Sequence, residues 1–298
     1  MIYDALIAPF ADYSFMRRAL AGIFALAVSM GPLGVILLLR RMSLMGDAMA
    51  HAILPGAAIG YLFAGLSLTA MTIGGMAAAC AVVLTAGLVS RSTILGSDAA
   101  LASAYLLSIA LGVTILSMSG SNVDLIHVLF GSALALDNAA LLLLAGTSSV
   151  SLAALSLMFR PLVWESADPE FLRMASGSGG LTAISFHILV AVNLVAAFHA
   201  LGALLAVGLM VLPAAAARFW CRSLEGMILA ATGAAAASGY AGLLLSYHGG
   251  APAGPAVILA AGAVLAVSIL FGGNSGLLRR EAAAEAAPPR KIKSMEAS

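Results

Sequence analysis

Arg40-Arg41-Met42-Ser43-Leu44-Met45-Gly46-Asp47-Ala48-Met49-Ala50-His51-Ala52-Ile53-Leu54-Pro55-Gly56 is the stretch on which the reading of this chain turns. It lies between two apolar segments and sets an acid and an imidazole four residues apart, ahead of Pro-Gly. On a helix, positions i and i+4 share one face, a turn apart. A carboxylate oxygen and an imidazole nitrogen are both ligands for borderline first-row divalent metals. Elsewhere charges are nearly confined to the ends of apolar runs. The plainer alternative puts Asp47 at an interface near Arg40 or Arg41, with His51 bonded to a backbone carbonyl. Against it, a charge inside a span costs ~2.5–3.5 kcal/mol on insertion scales and by default marks a functional position. Pro55-Gly56 reads either as simple irregularity or as a kink that exposes carbonyls beside the pair.

Working outward, the chain has 298 residues, 62% of them hydrophobic and only 9% charged. A soluble domain carries about 25% charged residues. Several apolar runs reach the roughly 20 residues needed to span a bilayer. They do not alternate with period two, which excludes a transmembrane barrel. The fold class is therefore an all-α polytopic membrane protein. The net charge of +1 is set by topology and carries no nucleic-acid signal. Cys80 and Cys221 lie far apart in or beside apolar segments and read as free thiols. No removed signal peptide is expected. The chain holds no GxxxxGK phosphate loop, metalloprotease motif or nucleophile elbow, so it is read as neither an ATPase nor another enzyme.

Residues 1–16 are amphipathic and are expected to lie in the membrane interface. Residues 17–273 form the membrane domain, with about nine spans, or eight if 181–217 is one kinked helix. The spans are expected near 18–39, 47–65, 68–89, 99–118, 139–159, two within 181–217 broken near His199-Ala200-Leu201-Gly202, 226–247 and 256–272. Residues 274–298 read as a disordered tail. Of the 14 Lys and Arg, only Arg17 and Arg18 then fall on one side. The rest face the cytoplasm by the positive-inside rule, which puts the N-terminus outside and the C-terminus inside.

That topology gathers Asp124, His127 and Asp137 outside, in a segment too polar for a lipid-facing span, as possible outer metal-access residues. It puts the polar loop 161–180 inside. There Asp168-Pro169-Glu170 reads as a helix start, followed by Phe171, Leu172, Arg173 and Met174. A short amphipathic helix on the cytoplasmic face would suit docking of a soluble partner. A membrane-hugging connector is the alternative. His199 and His248 read as structural, and the scattered methionines as packing.

The opening stretch resembles the permease subunits of bacterial zinc/manganese/iron ABC importers, the ABC-3 family, whose fold is of the cobalamin-permease-like type. Further blocks agree in order: Val123-Asp124-Leu125 with Leu129-Phe130-Gly131, Asp168-Pro169-Glu170-Phe171, Gly202-Ala203-Leu204-Leu205 through Leu212-Pro213 to Arg218, and Pro252-Ala253-Gly254-Pro255-Ala256. Together they cover roughly residues 20–272. The stretch Arg173-Met174-Ala175-Ser176-Gly177 only approximates the family's coupling pattern.

The resemblance implies a multi-pass protein of the bacterial inner membrane, homodimeric or paired with another permease, and working with a cytoplasmic ATPase dimer and an extracytoplasmic metal-binding protein. By the same likeness, Asp47 and His51 line the translocation pathway, and Asp168, Glu170, Phe171 and Arg173 couple to the ATPase. ATP is bound by the partner, no cofactor is held permanently, and the metal is the substrate. The motif variant and the donor affinity order favour Zn2+, with Mn2+ or Fe2+ as the alternative. A proton-coupled metal carrier and a permease for a larger chelate are the rival readings.

Overall fold

One helix forms the axis of the molecule. Residues Met16, Ala19, Ile23, Leu26, Ala27, Met30, Leu33 and Leu37 recur at three- and four-residue spacing and are all buried. That spacing puts them along one helical stripe. The computed structural model describes residues 2–42, 45–65, 67–118, 136–167, 179–274 and 276–278. Its helices are α1 (Ile2–Leu6), α2 (Ala8–Asp12), α3 (Ser14–Leu39), α4 (Met45–Ala52), α5 (Leu54–Ala64), α6 (Leu68–Ser92), α7 (Ser97–Met118), α8 (Asn138–Ala167), α9 (Gly179–Leu201), α10 (Ala203–Trp220), α11 (Leu224–Gly249) and α12 (Ala253–Phe271). The axis is α3, which packs against α8, α10 and α11.

Seven of these helices are long and apolar enough to cross a membrane: α3, α6 and α8 to α12. The expectation was about nine, or eight. Of the two remaining expected spans, α7 runs 22 residues, Ser97–Met118, and is apolar over Ala99–Ile115, while the run at 47–65 is divided between α4 and α5, so the expected number is roughly met. The break expected near residues 199–202 is present. Gly202, at φ 93°, turns the chain between α9 and α10, a backbone state open to glycine without steric cost.

In lipid, helix association comes from close packing and interhelical hydrogen bonds rather than from escape of apolar surface from water. Both are visible around α3. Ser29 on α3 meets Ser148 on α8 through their hydroxyls at 3.2 Å, and the Asn193 side-chain amide on α9 donates to Ser151 on α8. All four residues are buried. At one end of the same interface, Arg40 reaches Glu165 and Ser166. Since Ser29 precedes Arg40 and Ser148 precedes Glu165, α3 and α8 run parallel.

Two boundaries differ from expectation. The fifth span was expected to stop at Arg160, with a loop from Pro161. Instead α8 continues through Pro161 to Ala167. The polar residues that suggested a loop are used in its last turn, where Arg40 bonds to the Leu162 carbonyl, Glu165 and Ser166. The amphipathic N-terminus forms two short helices rather than one. They are held against α11, where the Tyr240 hydroxyl donates to the Leu6 carbonyl, Phe10 stacks on Tyr240, and His248 Nε2 lies 2.8 Å from the Ala5 carbonyl oxygen. His248 thus has the structural role expected of it.

The turn leaving α3 is a Schellman motif. The N–H of Met42 bonds to the Leu37 carbonyl at 3.0 Å and that of Arg41 to the Leu38 carbonyl at 3.1 Å. Arg41 occupies the left-handed position with φ 60°, where glycine is the usual occupant. A non-glycine residue there costs on the order of 1 kcal/mol and persists when its surroundings hold it in place.

Candidate metal pathway

The candidate pathway element, α4, is the short helix expected to carry Asp47 and His51 on one face. It stops at Ala52 because Pro55 has no N–H to offer the His51 carbonyl, and the Pro55 ring crowds that carbonyl. Ile53 therefore makes a turn between α4 and α5, and its own carbonyl accepts from Ala57 N–H at 3.0 Å as α5 begins. The carbonyl just before it, that of Ala52, accepts from the Ser108 hydroxyl on α7 at 3.2 Å. The kink read from Pro55-Gly56 is thus a real break, with a neighbouring helix supplying a donor.

The break lies among close contacts. A Cβ on Gly56 would overlap the Gly74 carbonyl on α6, and one on Gly112 of α7 would press on Leu54 and Pro55. Glycine at these positions lets the backbones of α5, α6 and α7 meet. On α4, Met45, Ala48, Met49 and Ala52 are buried, and Gly46 lies against Val207, Met210 and Val211 of α10. This stripe obeys the i, i+3, i+4, i+7 pattern.

Positions 47 and 51 fall on the opposite side of α4 from that stripe. The His51 ring is half-buried and stacks with Tyr105 of α7, with centroids 6.5 Å apart and planes at 26°. Tyr105 lies roughly two turns inside α7, so the imidazole is set well along that helix rather than at its end. Asp47 occupies the helical position one turn before His51. Arg40, a suspected neighbour of Asp47, has Glu165 as its ion-pair partner at 2.9 Å.

Among the described residues, no group of three or more His, Cys, Asp or Glu is placed to hold a metal ion. Two donors are fewer than the roughly four a closed metal site takes, so the pair on α4 is at most part of a ligand set. Of the acids expected on the outer face, Asp137 is exposed, and its carboxylate caps α8 by accepting from Ala140 N–H at 2.7 Å. Asp124 and His127 lie outside the described residues, as do Asp168, Glu170, Phe171 and Arg173.

Tyr105 and Ser108 escape a reading of the sequence alone, although a signal is present. Tyr105, Ser108 and Gly112 are spaced i, i+3, i+7 in an otherwise apolar span, which puts one aromatic, one hydroxyl and one gap on a single face. All three meet α4 or α5.

A bundle of apolar membrane-length helices, interrupted at a short helix that carries an acid and an imidazole, defines a polytopic membrane permease. Residues 12–272 match the model of the ABC 3 transport family, and the chain belongs to that family. It is 30% identical over 275 residues to the manganese import system permease protein ScaB of Streptococcus gordonii, covering 91% of this chain and 96% of that one. It is 27% identical to a probable iron transport system membrane protein of Haemophilus influenzae, covering 91% of this chain and 98% of that one. Among solved structures, PsaBC from Streptococcus pneumoniae in complex with Fab matches with a TM-score of 0.79 at 27% identity, covering 94% of this chain and all of the matched chain.

Proposed function

We propose that this chain is the membrane permease of an ATP-driven importer that moves a divalent first-row transition metal, Mn2+ ahead of Fe2+, across the bacterial inner membrane. The observation that carries the reading is the placement of Asp47 and His51 a turn apart on α4, opposite its buried stripe, in a chain of this family. The expectation of Zn2+ is not supported by the relatives named above, whose names specify manganese and iron. The donors do not discriminate. One carboxylate and one imidazole with no thiol on α4 suit manganese or iron as well as zinc, and generic affinity order does not decide among transported ions.

A two-donor site is incomplete. The likeness to the family favours completion by the same pair from a second copy, which makes the working unit a homodimer. Transit also benefits from a site weak enough to release its ion. ATP is hydrolysed by a cytoplasmic partner that contacts the segment around Asp168, Glu170, Phe171 and Arg173. A binding protein delivers metal to the face opposite the basic residues. Uptake of Mn2+ by the permease reconstituted with its ATPase and binding-protein partners, competed with Fe2+ and Zn2+, tests this. ATP-dependent uptake blocked best by Mn2+ or Fe2+ is expected. Uptake that survives without ATP but depends on a proton gradient would refute the importer reading, and preferential block by Zn2+ would refute the choice of metal.

A further inference from the structure

The Arg40 side chain joins three helices at one point. Its Nε donates to Ser166 Oγ at 3.2 Å, and Nη2 donates to the Leu162 carbonyl at 3.4 Å and to Glu165 Oε2 at 2.9 Å, all in the last turns of α8. Its guanidinium also lies 5.1 Å from the centroid of the Phe186 ring on α9. The Arg40 and Glu165 side chains are almost enclosed, at 10% and 11% exposure. Arg40 is also the C-cap of α3. The chain then passes through Arg41, held in the left-handed region, to Met42, whose carbonyl accepts the Met45 N–H that opens α4.

From these contacts we infer that Arg40 is a positioning residue that transmits displacement of the α8 and α9 ends to the helix bearing Asp47 and His51. This rests on the transport reading above. The ends of α8 and α9 flank residues 168–178, the sequence proposed to meet the ATPase. A partner that pushes there moves Glu165 and Phe186 first.

A slack surface pair would absorb such motion, because exposed ion pairs are weak and mobile. This pair is nearly enclosed, so pulling it apart would strand a charge. The guanidinium is planar and permanently charged and makes its contacts as a fork, so it holds direction as well as distance. The Schellman motif ends at Met42, whose carbonyl accepts the Met45 N–H, so the clamp and α4 are linked by a backbone hydrogen bond. Movement of the clamp therefore arrives at α4 as a displacement of its first turn, and Asp47 lies in that turn.

The test uses the full permease–ATPase complex in proteoliposomes with the binding protein supplied, and measures ATP hydrolysed per Mn2+ transported. Glu165→Gln keeps size and removes the charge, while Arg40→Lys keeps the charge and loses the fork. For both, hydrolysis within about twofold of wild type and at least fivefold less Mn2+ moved per ATP are expected. A wild-type ratio in either variant overturns the inference. So does a parallel fall of hydrolysis and uptake, or failure of both variants to reach the membrane, since either marks a purely structural pair. If the wild-type complex moves no Mn2+ at all, the transport reading itself fails, a result separate from these.

Discussion

The hydroxyl of Ser108 donates to the Ala52 carbonyl across 3.2 Å, at the point where α4 ends and α5 has not begun. A helix broken inside an apolar bundle leaves carbonyls without helical donors, and no bulk water is at hand to satisfy them. Ser108 is buried, so the bond is between two enclosed groups. Ser108→Ala is expected to destabilise the protein by about 0.6–1.7 kcal/mol, the range measured for interhelical bonds in membranes. Thermal unfolding in detergent reads the loss. An unchanged melting temperature would show that the bond contributes little.

Gly56 and Gly74 set the distance between α5 and α6. A methyl group on Gly56 would overlap the Gly74 carbonyl, whereas one on Gly233 of α11 meets nothing within 4 Å. Overpacking of this kind costs typically ~1–3 kcal/mol. Gly56→Ala should lower both the folded yield and the melting temperature, while Gly233→Ala leaves both near wild type. Equal behaviour of the two variants would rule out a packing role for Gly56.

The parts of this structure legible in the sequence obey local rules. Membrane-length apolar runs mark the helical class, Gly202 marks the turn after α9, and Pro55 breaks the helix beyond His51. The parts that were not legible depend on partners distant in sequence. Glu165 and Ser166 look like loop residues until Arg40, more than a hundred positions away, is seen to bond to them. Pro161 looks like a stop, yet α8 passes through it. Tyr105 is an ordinary apolar-span tyrosine until α4 is placed beside it. The identity of the metal was illegible for a different reason. A carboxylate and an imidazole are acceptable to several divalent ions, and α4 carries no other carboxylate, imidazole or thiol that would narrow the choice.

Arg41 supplies a stability test free of the transport assay. Its φ of 60° suits glycine better than arginine. Arg41→Gly should relieve on the order of 1 kcal/mol of backbone strain and raise the melting temperature slightly. A fall instead would mean that contacts of the Arg41 side chain outweigh the strain.

Asp137 has a defined structural role and an expected functional one, and the two can be separated. Its carboxylate caps α8 through the Ala140 N–H. Asparagine also caps well, whereas alanine in place of a capping residue costs about 0.5–2 kcal/mol. Asp137→Asn should keep the melting temperature, while Asp137→Ala lowers it. If Asp137 also draws metal to the outer face, Asp137→Asn will raise the KM for Mn2+ uptake despite normal stability. An unchanged KM confines Asp137 to capping.

His51 and Tyr105 pose the sharpest question about the pathway. With centroids 6.5 Å apart and planes at 26°, the tyrosine ring limits how the imidazole can turn. If His51 is a ligand, that restraint directs its donor nitrogen. His51→Ala should abolish most Mn2+ uptake with normal membrane insertion, and wild-type uptake in a well-inserted variant would remove His51 from the pathway. Tyr105→Phe keeps the stack and should transport normally. Tyr105→Leu loses the flat restraint and should raise KM several-fold with little change in maximal rate.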